Sequence, residues 1–318
     1  VIISPQFFLG GKMYKLTSLI LVILSFLFTV SCTSKQTDVK KGGVLKVTVS
    51  ILPQKFIVEQ IGKEKVSVNV MVPPAASPET YEPEPKKMME LKQSAIYFLI
   101  GMPFESSSFE KIKDEYKNVI FLKMQERIKL KGADGHHHHH HHHHEGDAPC
   151  DHDGDPHIWL DPAYLIILSE NAASGLIKAD PGNREFYVRN LTALKREIQT
   201  LHDELVDIFK DSRGKSFVVY HPAWGYFAER FGIKQVAVET EGKEPSASEM
   251  AKQIDFIKKN GVKHIFSQPS SPETVINSIS SQTGTEIIMI DPLREDVIRN
   301  IKESANAIRE GLVSAKHN

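Results

Sequence analysis

The sequence predicts an α/β protein of two lobes, each a mainly parallel sheet flanked by helices, joined by one long rigid helix. Two observations carry this reading. Short runs rich in Val and Ile come in two sets of four, separated by helix-like stretches, which is the pattern of strands joined by helical crossovers. Between the sets lies a long stretch without strand signals, in which apolar residues recur at helical spacing.

The first set is Leu45–Ile51, Val66–Val72, Ala95–Gly101 and Val119–Met124, with a helix-like stretch from Glu84 to Gln93. It defines an N-terminal lobe over residues 45–180. The connecting helix is expected over 181–212: Pro181 suits a first helical turn, Asp180 suits its N-cap, and Phe186, Leu191, Leu194, Ile198, Leu201, Leu205 and Ile208 form the apolar stripe. Gly214 ends the pattern, and two helices with a kink are the alternative. The second set is Phe217–His221, Gln235–Thr240, His264–Gln268 and Glu286–Asp291, within a C-terminal lobe over 213–318.

The N-terminal residues read differently. An apolar run from Leu16 to Val30 follows Lys15 and has the length of a signal-peptide core, short for a membrane span. It ends in Thr29-Val30-Ser31-Cys32, similar to a bacterial lipoprotein cleavage box, although Thr29 stands where Leu is usual. Residues 1–31 are therefore expected to be a signal peptide, with Met13 as the start and 1–12 as over-extended translation. Cys32 becomes the lipidated residue, and 32–44 a lipid-anchored linker. An uncleaved anchor helix is the alternative.

The chain of 318 residues has 39 basic and 40 acidic side chains, a balance that argues against nucleic-acid binding. Its two cysteines cannot form a disulfide scaffold. Nine of its 15 histidines form one run: His136, His137, His138, His139, His140, His141, His142, His143 and His144. The run lies in a loop over 132–155, rich in Gly, Asp and His, that also holds Cys150 and His152. Neutral imidazoles bind metal, so the run and His152 are auxiliary metal-binding candidates; a tolerated low-complexity insertion is the alternative.

Four residues stand at the ends of expected strands or in the loops after them: Glu79, His157, His221 and Asp291. Open α/β sheets bind ligands at the carboxyl ends of their strands, so two facing sheets would bring these four into one cleft. Two imidazoles and two carboxylates suit a divalent first-row ion. Two ionised carboxylates also cancel a 2+ charge, which avoids burying uncompensated charge. Taken singly, Glu79 reads as a solvated loop carboxylate and Asp291 as a helix N-cap, and the histidines could be capping or packed structural residues; the joint placement lifts the set above its parts.

The segments Ser77-Pro78-Glu79-Thr80-Tyr81-Glu82-Pro83, Asp155-Pro156-His157-Ile158-Trp159-Leu160-Asp161-Pro162, His221-Pro222-Ala223-Trp224-Gly225-Tyr226-Phe227 and Asp291-Pro292-Leu293 carry a resemblance. From Leu45 to the C-terminus the chain resembles the metal-binding lipoproteins of bacterial zinc and manganese ABC importers. The resemblance implies two α/β lobes, a rigid connecting helix, a metal between the lobes, and a His-rich loop of the zinc type. It implies capture of Zn²⁺, with Mn²⁺ as the alternative, on the outer or periplasmic side of the membrane. Delivery would be to an ABC permease, by a monomer held through a lipid anchor. The family usually has His where this chain has Glu79. The set of two His and two carboxylates is associated with manganese members, although in those the Glu occupies the position of His221. An enzyme, such as a zinc hydrolase with Glu79 as base, is disfavoured because neither His-Glu-x-x-His nor Gly-x-Ser-x-Gly occurs. A surface adhesin or a metal-storage protein is a third class with the same site.

Overall fold

The computed structural model describes Val1 and residues 43–106, 113–132, 154–239 and 245–313. The signal peptide 1–31, Cys32, most of the linker 32–44, the run His136 to His144, Cys150 and His152 lie outside the described residues. Among the described residues, no helix is long and apolar enough to cross a membrane.

The first lobe runs β1 (Leu45–Val49), α1 (Leu52–Gly62), β2 (Val66–Val70), α2 (Pro85–Lys92), β3 (Ile96–Leu99), β4 (Ile120–Lys123) and α3 (Pro162–Ala179). After α4 (Arg184–Phe209), the second lobe runs β5 (Ser216–Val219), α5 (Gly225–Arg230), β6 (Lys234–Ala237), α6 (Ala247–Asn260), β7 (His264–Ser267), α7 (Glu273–Thr283), β8 (Glu286–Met289) and α8 (Val297–Glu310). All strand pairs are parallel, in the orders β2-β1-β3-β4 and β6-β5-β7-β8. The same order recurs in both lobes. In each, the chain reverses its direction of travel across the sheet beside the lobe's first strand, where open sheets form their ligand crevice.

Side-chain alternation assigns the faces of the second sheet. Phe217 and Val219 join the large core shared with the first lobe, whereas Val218 and Tyr220 join a separate cluster with Ile254, Ile257, Ile276 and Ile279. The helices covering that second face are closed by glycines in the left-handed conformation: Gly261 (φ 65°) after α6 and Gly284 (φ 71°) after α7.

The connecting helix is one unbroken element of 26 residues, about 39 Å long. It begins later than expected. Pro181–Asn183 form a 3₁₀ turn, and the Asp180 carboxylate accepts from Asn183 Nδ2 (2.6 Å) and Tyr187 Oη (2.7 Å) instead of capping backbone N–H groups. Buried Tyr187, Leu194, Ile198, Leu201, Leu205 and Phe209 run along one side of α4. Asn190 Nδ2 donates to Ile61 O of α1 (2.9 Å), while Phe209 stacks on Phe231 at the far end. The helix is thus packed into both lobes. The sequence expectations do not name α3, an 18-residue helix capped by Asp161, which accepts from Ala163 N (2.9 Å).

The lobes are also tied directly. Arg230 grips the buried Asp161 carboxylate through Nε (3.0 Å to both oxygens) and Nη2 (2.8 Å). Trp159 Nε1 donates to Pro292 O (2.7 Å), and Lys55 pairs with Glu295 (2.8 Å).

The crevice of the first sheet is filled by its own polar groups. Gln54 accepts from Ser50 N and Ile51 N and donates to Phe98 O. Glu105 accepts from Ile100 N (3.0 Å), Gly101 N (2.7 Å) and the Ser50 hydroxyl, which also contacts Tyr97 Oη. Burial raises the Glu105 carboxyl to about 7 despite these donors. The folded protein therefore holds this proton where the unfolded chain has lost it, so stability is full below about pH 4.5 and declines as pH rises through about 7. Urea unfolding at pH 5 and pH 7.5 should show this loss, on the order of 3 kcal/mol at most. The Glu105→Gln variant should lack it; an equal pH dependence in the variant would remove Glu105 as its source.

Candidate metal centre

Each lobe presents the carboxyl ends of its strands to the other. Because the first crevice is filled, that lobe reaches the cleft from its flanking strands. Glu79 comes from the loop after β2, a stretch stiffened by Pro73, Pro74, Pro78 and Pro83. Its neighbour Tyr81 packs edge-on against Phe104 in the helical segment that follows β3 (5.4 Å between centroids). His157 lies between β4 and α3, immediately before the 3₁₀ turn Ile158–Leu160, and its ring contacts Trp159 (5.2 Å). His221 follows β5 itself. Its turn is held by Gln235, which accepts from Trp224 N (2.7 Å) and donates to Pro222 O (3.1 Å).

Three donor atoms converge. His221 Nε2 is 3.0 Å from Glu79 Oε1, His157 Nε2 is 3.7 Å from the same oxygen, and the two Nε2 atoms are 3.2 Å apart. A tetrahedral ion with bonds near 2.0 Å has ligand–ligand edges of about 3.3 Å, so this triangle can cap one ion. Among the described residues, these are the three brought together in metal-ligating geometry. The cavity they line, with Met102, Gln268 and Leu293, is about 20 Å³. That excludes an organic ligand, which needs several hundred Å³.

Each imidazole is held from behind. His157 Nδ1 is 2.7 Å from Asp155 Oδ1, which also accepts the His157 backbone N–H (3.0 Å). His221 Nδ1 is 3.1 Å from Glu239 Oε1, and the Glu239 side chain is 10% exposed. A proton kept on Nδ1 leaves Nε2 as the metal-facing nitrogen. Burial alone would lower His221, but hydrogen bonds and charge from Glu239 and Glu79 push it up to about 9. Burial alone would raise Glu79, yet the His221 hydrogen bond and the charge of both histidines hold it below the usual carboxylate range. Asp155 is likewise lowered, because its contacts with His157 outweigh burial.

Asp291 is not in the group. It follows β8, but its Oδ1 accepts from Leu293 N (2.9 Å) in a local turn, and it lines the adjoining cavity beside Ile51, Pro73 and Gln268. Burial raises its carboxyl, partly offset by the Leu293 N–H and Arg294. The structure adds two residues that the sequence reading did not assign. Asp155 enters the sequence reading only within the segment Asp155 to Pro162. Glu239 stands after β6, where the strand-end rule that found His221 would also have pointed.

Two parallel-sheet lobes on one stiff helix, with an imidazole from each and a carboxylate closing the triangle, define a two-lobed metal-binding protein. The family model described as zinc-uptake complex component A periplasmic (ZnuA) matches residues 47–311, and the chain belongs to this family. The zinc-binding lipoprotein AdcA of Streptococcus pneumoniae is 26% identical over 301 residues, spanning 92% of this chain but 58% of AdcA, so the chain covers little more than half that relative's length. The high-affinity zinc uptake system protein ZnuA of Bacillus subtilis is 27% identical over 286 residues, 88% of this chain and 89% of that one. A crystal structure of ZnuA matches with a TM-score of 0.75 at 32% identity, covering 84% of this chain and 99% of that one.

The raised His221 has a measurable consequence. Below about pH 9 the metal-free site holds a proton on His221 Nε2, and a cation bound at that nitrogen would have to displace it. Calorimetry of Zn²⁺ binding near pH 7.5 in buffers of different ionisation enthalpy should show release of about one proton, vanishing above about pH 9. In the metal-free protein the same group stabilises the fold fully below about pH 6.5 and ceases to do so as pH rises through about 9. Zinc binding without proton release at pH 7.5 would contradict this assignment.

Proposed function

We propose that the protein captures a divalent metal ion, zinc, outside the cytoplasm and delivers it to the membrane permease of an ABC importer. The observation that carries this is the triangle of Glu79 Oε1, His157 Nε2 and His221 Nε2 in the cleft between the lobes. Three protein donors with a proton to displace suit reversible, tight binding, and the family description supports zinc as the cargo. Asp291 is the proposed fourth ligand, reached by turning its side chain from the Leu293 N–H toward the ion. Binding and delivery, not catalysis, is the activity proposed.

Lipidation at Cys32 would hold the protein at the membrane surface, and the naming of AdcA as a lipoprotein supports this. His136 to His144 and His152 are proposed as weaker auxiliary zinc ligands, since wrapping an ion costs a chain segment conformational entropy. The Glu79 carboxylate, harder than an imidazole, is the feature that favours manganese as the second reading.

Competition against a chromophoric chelator tests the site. His157→Ala and His221→Ala should each weaken Zn²⁺ binding by about 100-fold or more, and Asp291→Asn by about 10-fold. Unchanged affinity in both histidine variants would overturn the site, and wild-type preference for Mn²⁺ over Zn²⁺ would overturn the cargo.

A further inference from the structure

The supports behind the two histidines differ in origin. Glu239 and His221 belong to the same lobe, each just beyond the end of one of the neighbouring strands β6 and β5. Asp155, behind His157, is held from the opposite lobe. Tyr226 of α5 donates its hydroxyl to Asp155 O (2.7 Å) and accepts from Lys131 N (2.8 Å). Asp155 N in turn donates to Lys131 O (2.8 Å), so one hydroxyl closes a ring of hydrogen bonds with the two segments that carry Lys131 and Asp155. Lys131 Nζ lies over the Tyr226 ring (4.6 Å) and donates to Gly225 O (2.8 Å). The approach is close: a Cβ at Gly225 would come within 3.4 Å of Asp155 Oδ2. Tyr226 is 3% exposed, and burial holds its phenol above the usual range, so the hydroxyl stays a donor.

We propose that Tyr226 and Asp155 form a relay across the lobes that positions His157 for metal, so that affinity in the cleft is coupled to contact between the lobes. The chain of contacts is short: the Tyr226 hydroxyl fixes the Asp155 backbone, the Asp155 carboxylate fixes His157 Nδ1 and N, and the imidazole then points Nε2 at the partner nitrogen. His221 has no such dependence, because its carboxylate is supplied by its own lobe. A displacement of α5 from Lys131 and Asp155 therefore loosens one ligand and leaves the other in place, giving release a defined first step. Tyr226 and Asp155 are positioning residues that do not themselves bind the ion. This inference rests on the proposed metal-binding function.

The test uses the full chain and three variants, Tyr226→Phe, Asp155→Asn and the double. Zn²⁺ affinity comes from chelator competition, dissociation rate from stopped-flow, and ligand geometry from the visible spectrum of the Co²⁺-loaded protein. Tyr226→Phe removes one oxygen and keeps the packed ring. It should raise the dissociation rate by about 10-fold and shift the Co²⁺ bands. The double variant should be no weaker than Asp155→Asn alone, because the hydroxyl acts through that carboxylate. Unchanged dissociation and spectrum in Tyr226→Phe would overturn the relay, even if thermal stability fell. Additive effects in the double variant would overturn it equally. Failure of the wild type to bind metal would instead refute the function on which the relay rests.

Discussion

Two imidazole nitrogens, one from each lobe, face each other at 3.2 Å, with a carboxylate oxygen set against both. Two bare lone pairs at that distance repel, so the contact needs a positive centre between them. In the metal-free protein that centre is a proton, which the surrounding carboxylates hold on His221. On the proposed function a divalent ion would supply more charge at the same point and satisfy the same three atoms. A proton and a metal would then compete for one position.

Holding donors from different lobes to within a few tenths of an ångström demands stiffness. The helix α4 provides part of it, since its apolar stripe is buried from Tyr187 to Phe209 and its ends pack into different lobes. The Arg230–Asp161 fork and the Trp159–Pro292 hydrogen bond provide the rest, close to the site itself. Asp161 does two jobs here, capping α3 and receiving Arg230, so the register of the helix that follows His157 is tied to the position of the opposite lobe. Charged groups so placed bring geometric definition more than net stability.

The parts readable in the sequence are those set by local pattern. Alternating Val- and Ile-rich runs with helical stretches identify both sheets, because parallel strands buried on two faces are short and apolar. Glu79, His157 and His221 follow from the rule that strand ends face the ligand. The helix α3 was also legible, with Asp161 and Pro162 marking its start and Leu165, Leu168, Ala172, Ala173 and Leu176 at helical spacing, but Ile166 and Ile167 blur the stripe. What could not be read depends on distance or direction. The strand-end rule points to Glu239 as a residue, but its pairing with His221, 18 residues away, is not encoded in sequence spacing, nor is that of Tyr226 with Asp155, 71 residues away. Asp291 stands where the strand-end rule puts it, but the rule does not say which way a side chain turns, and a neighbouring N–H claims its oxygen.

The size of the cavity has a bearing on which ions can enter. At about 20 Å³ it admits roughly one water-sized particle. A cation arriving with its full shell of water would have to shed part of it to reach the three donors, whose nitrogens and oxygen would replace what is lost. Mg²⁺ gives up water reluctantly and Ca²⁺ asks for six to eight oxygens, so both are poorly compensated by two imidazoles and a carboxylate. Ions that bind imidazole well recover the cost of dehydration at once. For the proposed site, narrowness would then act as a filter on hydration, set against the most abundant divalent ions before coordination geometry comes into play.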